Sequence, residues 1–168
     1  MKLFTPWMAL DRVPMIDLEL LRQQGVETIL LDMDNTVVPW HTFDVDEATA
    51  AWFARAKEMG FTLCILSNNR RWRIEKLAGM LGVLGVWGAR KPFLSGFLRA
   101  LRVCRTTPKR TVLVGDQLFT DILGAKLLGM RTVLVRPLSR QEHRWTRWMR
   151  VLERKLAGRS FDTRTEGP

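Results

Sequence analysis

Long hydrophobic runs are missing from this sequence. None approaches the roughly 18 residues of a membrane-crossing helix, so no transmembrane span is expected. Cysteine is scarce too: Cys64 lies in an apolar stretch and Cys104 near a predicted helix end. Without metal-ligand spacing, the two read as buried thiols in a reducing compartment, with a disulfide between them left open. Behind the amino-terminal lysine, Pro6 and Asp11-Arg12 interrupt the apolar residues, so a signal-peptide core and cleavage pattern are lacking. No internal repeat or low-complexity segment occurs, and 168 residues fit one domain with a real core.

Positive charge, by contrast, is abundant. The net charge is +10, and much of it is local. Residues 136 to 160 carry Arg136, Arg140, Arg144, Arg147, Arg150, Arg154, Lys155 and Arg159 against only Glu142 and Glu153. Such a patch attracts phosphates, whether on lipid headgroups, nucleic acid or a soluble substrate.

Strand and helix signals alternate through the middle of the chain. Ile29-Leu30-Leu31 reads as a buried strand ending at Asp32. Asp46 opens a predicted helix to about Met59, with Gly60 just past its end. A second strand, Phe61 to Leu66, ends at Ser67-Asn68-Asn69. Ile74, Leu77, Ala78 and Leu81 then form a helical stripe that Gly82 stops. A short strand near Val83 to Val86 leads to Ala89-Arg90-Lys91-Pro92, and Leu94, Phe97, Leu98 and Leu101 repeat the helical spacing. Thr111 to Val114 is a strand ending at Gly115-Asp116. A helix is expected from about Thr120 to Leu128, and Arg131 to Val135 forms a last strand. The pattern predicts an α/β fold, a parallel sheet with helices on both faces.

Each strand end carries a chemically suggestive residue with a plain alternative. Asp32 and Asp34 could divide labour, one attacking and the other moving a proton. Alone, their spacing also suits solvated turns and calcium loops. An EF-hand loop would need further acidic residues and a preceding helix, and neither is present. Ser67 could donate to a phosphoryl oxygen or cap the next helix, competing with Asn68 and Asn69; both roles can coexist at a helix N-terminus. Lys91 could be a solvated surface charge, with Pro92 at the first helical position. Asp116 and Asp121 could be a turn followed by a capping Thr120, or a site for a hard cation. Together the signals strengthen one another, because ligands in open α/β sheets bind at the carboxyl ends of strands.

The order Asp-x-Asp-x-Thr, Ser, Lys, Gly-Asp-x-x-x-x-Asp, over roughly Gly25 to Val135, resembles the haloacid dehalogenase (HAD) phosphohydrolases. More narrowly, Asp-Met-Asp-Asn-Thr, Ser-Asn-Asn, Ala-Arg-Lys-Pro and Gly-Asp-Gln-x-x-Thr-Asp resemble subfamily IIIA phosphatases of the bacterial YqeG type, relatives of the mitochondrial phosphatidylglycerophosphatase. Met33, where the family often has another apolar residue, is a mild departure. The resemblance implies a Rossmannoid three-layer α/β/α sandwich. It implies Asp32 as nucleophile and Asp34 as acid and base. Mg²⁺ would be held by the carboxylates of Asp32 and Asp116 and the main-chain carbonyl of Asp34, with Asp121 in support. Ser67, Lys91 and Asn68 would bind phosphate, with one of Asn68 and Asn69 as a cap, while Thr36 fixes the loop.

Spacing leaves no room for a cap domain. Residues 37 to 66 hold little beyond a helix and a strand, and the stretch from Ser67 to Lys91 is as short. The expected organisation is an amino-terminal extension (1–24), a phosphatase domain (25–138), a basic amphipathic helix (139–160) and a tail (161–168). From His143 to Leu156 a helix would align Trp145, Trp148, Met149, Leu152 and Leu156 among arginines. That stripe suits a membrane interface or packing on the domain itself. The implied partner is a phosphomonoester, with an anionic phospholipid headgroup favoured and phosphatidylglycerophosphate as substrate. The expected location is the cytoplasm, peripherally at the inner face of a membrane. The rivals are a soluble metabolite, phosphoprotein or nucleic-acid end as substrate, or a non-catalytic scaffold binding RNA or membrane. No nucleic-acid-binding module signature is present.

Overall fold

A computed structural model describes residues 3–139. Six strands form one sheet: β1 (Met8–Leu10), β2 (Thr28–Leu31), β3 (Thr62–Leu66), β4 (Leu84–Val86), β5 (Thr111–Gly115) and β6 (Arg131–Val135). Their order is β1-β6-β5-β2-β3-β4, and every pairing is parallel. The central strands β2 and β5 are buried at every position, as expected where helices cover both faces.

Side chains alternate between two cores with the period of a strand. Ile29, Leu31, Leu63, Ile65, Val112 and Val114 face one layer, which contains Leu21, Phe53 and Ile74. These come from α1 (Leu18–Gln23), α2 (Glu47–Glu58) and α3 (Arg71–Leu81). Leu30, Cys64, Leu66 and Leu113 face the other, against Phe97, Ala100 and Ala125 of α4 (Leu94–Val103) and α5 (Leu123–Leu127). The molecule is therefore the three-layer α/β/α sandwich that the pattern predicts. Caps set the helix ends. Asp17 accepts from the amides of Glu19 and Leu20, Asp46 accepts from that of Thr49, and Gly82 ends α3 in the left-handed region at φ 63°. Between β2 and β3, and between β3 and β4, the described residues carry no inserted domain.

Several details differ from the sequence expectations. Residues 8–24, expected as an extension, belong to the sandwich: β1 pairs with β6 at the sheet edge and Leu21 is fully buried. Helix α4 is turned relative to its predicted stripe. Gly96, Phe97, Ala100 and Leu101 face inward, whereas Leu98 is 47% exposed. Close backbone approach is the reason, since a Cβ at residue 96 would lie 2.1 Å from the Ala89 carbonyl oxygen. Pro92 precedes the α4 N-cap, Phe93, rather than occupying the first helical position. The helix expected from Thr120 is a π-helical turn, Leu118–Ile122, followed by α5. Thr120 does not cap it; its hydroxyl donates to the Gln117 side chain at 3.0 Å. Cys64 and Cys104 are free and buried, so no disulfide joins them. The segment expected as a basic amphipathic helix, residues 139–160, and the tail behind it lie outside the described residues save Ser139.

Candidate active site

The ladder of the sheet runs directly into the site. Asp32 follows β2 and its amide donates to the Val114 carbonyl at 2.9 Å. Ser67 follows β3 and donates in the same way to Val86, at 3.1 Å. Asp116 follows β5. Strand register thus delivers Asp32, Ser67 and Asp116 to one edge. Among the described residues, six acidic or basic side chains are buried: Asp32, Asp34, Arg73, Lys91, Asp116 and Asp121. All come from the loops and helix starts at this edge.

Lys91 sits at the centre. Its ammonium lies 2.6 Å from Asp32 Oδ1 and 2.6 Å from Asp121 Oδ1. Burial opposes its charge, but Asp121 and Asp32 outweigh that effect and push the Lys91 ammonium above its ordinary value. Asn68 holds the Lys91 backbone with two bonds: Lys91 N donates to Asn68 Oδ1 at 2.7 Å, and Asn68 Nδ2 donates to the Lys91 carbonyl at 3.2 Å. Asp121 accepts from the Gln117 amide at 3.1 Å through its other oxygen. The π-helical turn brings Asp121 back over β5, and Gly115 makes room for it. A Cβ at residue 115 would meet Asp121 Cγ at 2.5 Å.

Asp32, Asp116 and Asp121 each offer a carboxylate oxygen, and these lie within 4.8 Å of one another. Burial pushes the Asp32 carboxyl well above its ordinary value. Lys91 opposes this, while Asp121 and Asp116 add to it. Four buried carboxylates face only two buried cations. Burying uncompensated charge is costly, and oxygen-only carboxylate sets are what hard divalent cations accept. The donor set therefore fits a hard cation. Thr36 donates to Asp116 Oδ1 at 3.4 Å, tying the loop after β2 to β5.

Asp34 turns away from that trio. Its Oδ1 accepts from Arg73 at 2.8 Å and from the His41 amide at 3.4 Å, and its Oδ2 accepts from the Asn69 side chain. Burial raises the Asp34 carboxyl above its usual range, and Arg73 pulls against that shift. The tight turn at Asn35, φ 63°, is closed by an Asn35 amide bond to Val38 at 2.7 Å and by Ser139 donating to Asn35 Oδ1.

Every residue predicted for the site lies at this edge: Asp32, Asp34, Ser67, Asn68, Lys91, Asp116 and Asp121. Neither Asn68 nor Asn69 caps α3, however. The N-cap is Arg70, which makes no side-chain cap bond, because both asparagine side chains are engaged with Lys91 and Asp34. Arg73 was not anticipated. Its signal was present: Arg71 and Arg73 crowd the first turn of α3, which has no acidic residue, where the helix dipole disfavours cations. Basic residues there need another reason, and Asp34 supplies one for Arg73.

Comparison with known proteins defines the class first. Residues 88–144 match the HAD-hydrolase-like family. The solved HAD phosphatase from Thermococcus onnurineus shares the fold at TM-score 0.52 and 24% identity, covering 60% of this chain and 51% of that one. Over 46 residues the chain is also 44% identical to the glyceraldehyde 3-phosphate phosphatase of Pyrococcus furiosus, which is 27% of this chain and 19% of that protein. A longer match narrows the class. "Probable phosphatase YqeG" of Bacillus subtilis is 34% identical over 155 residues, 92% of this chain and 90% of that protein. The chain belongs to the HAD phosphatases of the YqeG type.

Proposed function

We propose that this phosphatase hydrolyses phosphomonoesters through an aspartyl-phosphate on Asp32, with Mg²⁺ as cofactor and phosphatidylglycerophosphate as substrate. The observation that carries the reading is the Asp32 carboxylate, held by the Lys91 ammonium beside two further carboxylates. An Asp32 oxygen attacks phosphorus as the ester P–O bond breaks, and the departing oxygen takes a proton from Asp34. Water then attacks the same phosphorus and gives its proton to Asp34, so inorganic phosphate leaves and the Asp32 carboxylate is restored. Lys91 and Ser67 bind the oxygens of the transferring group. Asp32, Asp116 and the main-chain carbonyl of Asp34 would hold Mg²⁺, with Asp121 in support. The ion supplies positive charge where an anionic nucleophile meets an anionic phosphate.

The substrate class is supported by the surroundings of the site. Among the described residues no inserted domain covers it, which suits a phosphate on a large or surface-bound molecule. Trp72, Trp87 and Phe93 are exposed beside Arg73, the β4 end and Lys91. Exposed aromatics among arginines suit a lipid interface. Among the described residues no helix is long and apolar enough to cross a membrane, so contact would be peripheral. The basic segment beyond residue 139 would add attraction to anionic lipid at the inner face of a membrane. A soluble phosphomonoester is the second reading, favoured by the short match to a glyceraldehyde 3-phosphate phosphatase.

Phosphate release from vesicle-borne phosphatidylglycerophosphate and from soluble monoesters, with Mg²⁺ or a chelator, separates these readings. Hydrolysis of the lipid by wild type, lost in Asp32→Asn and in chelator, is the expected result. Turnover of soluble esters alone overturns the lipid substrate. Equal rates for wild type and Asp32→Asn overturn Asp32 as nucleophile.

A further inference from the structure

Among the described side chains and amides that bond to the Asp34 carboxylate, only Arg73 donates from a charged group. Arg73 bonds to Asp34 Oδ1 at 2.8 Å and is only 7% exposed. Its guanidinium carbon stands 5.0 Å from the Phe43 ring centre and 5.9 Å from that of Trp72. Its Nε is buried with no hydrogen-bond partner. An unpartnered buried N–H is costly, so the arginine sits there against its own desolvation. Packing and the first turn of α3 fix the guanidinium, and the guanidinium in turn restrains the carboxyl group.

We propose that Arg73 is the positioning residue for proton transfer at Asp34. A carboxyl group otherwise rotates broadly about its last torsion. The fixed planar donor keeps Asp34 in one orientation while its proton passes to the departing oxygen, as the bond from Asp32 to phosphorus forms and the ester bond breaks. Arginine suits this task because it stays protonated and does not compete for the proton in transit. The inference rests on the acid–base role proposed for Asp34.

The test uses leaving groups. An alkyl phosphate needs a proton as it leaves, whereas 2,4-dinitrophenolate departs without one. With each ester, kcat/KM reads only the steps through formation of the aspartyl-phosphate, so water activation by Asp34 does not enter. In the full-length protein, Arg73→Gln lowers kcat/KM for glycerol phosphate roughly 100-fold and for 2,4-dinitrophenyl phosphate by no more than about 3-fold. Arg73→Lys, which keeps the charge without the fork, recovers part of the loss on the alkyl ester. Equal losses on both esters in both variants, or no loss on the alkyl ester, overturn the proposal. Asp34→Asn is measured alongside. If its losses are unselective, the acid role of Asp34 falls and takes the role of Arg73 with it. If Asp34→Asn is selective and Arg73→Gln is not, the role of Arg73 falls alone.

Discussion

Among the described residues, the ion pairs form two populations. At the carboxyl edge of the sheet, the side chains of Asp32, Asp34, Arg73, Lys91 and Asp121 are between 1% and 11% exposed and paired at 2.6 to 2.8 Å. Around the periphery, Arg12–Asp46, Arg22–Glu19, Arg71–Glu75 and Arg136–Asp11 pair at 2.5 to 2.7 Å with side chains 41% to 67% exposed. The distances are alike, but the energetics differ. Water screens the outer pairs to a few tenths of a kcal/mol or less each. The inner pairs have lost their water, so each partner depends on the others. Similar contacts thus mark screened surface pairs in one place and a mutually dependent buried cluster in the other.

The sharpest way to break the inner group is Asp32→Asn, expected to lower phosphate release roughly 10⁴-fold or more. The same variant is expected to be more stable than wild type in chelator. A carboxyl raised by burial contributes stability that is fully present below its ordinary value of 3.8 and is lost as pH rises through the raised value. Melting curves from pH 4 to 8 should therefore show the advantage of the amide growing with pH. Lys91→Met removes the shared cation from two carboxylates and should cost about 3–5 kcal/mol in urea unfolding without metal. Adding Mg²⁺ should return part of that stability. Gly115→Ala should cost about 1–3 kcal/mol, because its methyl group displaces the Asp121 carboxylate, and should weaken Mg²⁺-dependent activity. At the far end, Arg22→Ala should change stability by no more than about 0.5 kcal/mol. A larger effect there would erase the contrast between the two populations.

Much of the inner group was legible because strand ends are legible. Strands of four or five residues stop at Asp32, Ser67 and Asp116, and parallel register brings such ends together. Lys91 and Asp121 followed from their place in the motifs. Arg73 did not, because a helical stripe reports the apolar face and passes over a buried cation whose partner lies 39 residues away. The inward turn of α4 escaped for a related reason: Gly96 faces the core for what it lacks, and hydrophobic spacing does not register that. At three residues, β1 was too short to show a period and becomes a strand by pairing with β6.

Asn68 grips both the amide and the carbonyl of Lys91, while the Ala89 amide reaches back to the Ser67 carbonyl at 3.0 Å and that of Gly88 to Asn69 at 3.0 Å. Two connecting segments about 20 residues apart are thereby riveted into a single rigid jaw. In the reaction proposed above, a jaw of fixed gauge would measure what every phosphomonoester has in common and be blind to the rest of the molecule. Evolution could then exchange one customer for another by redrawing only the outer lip, without resetting the bite.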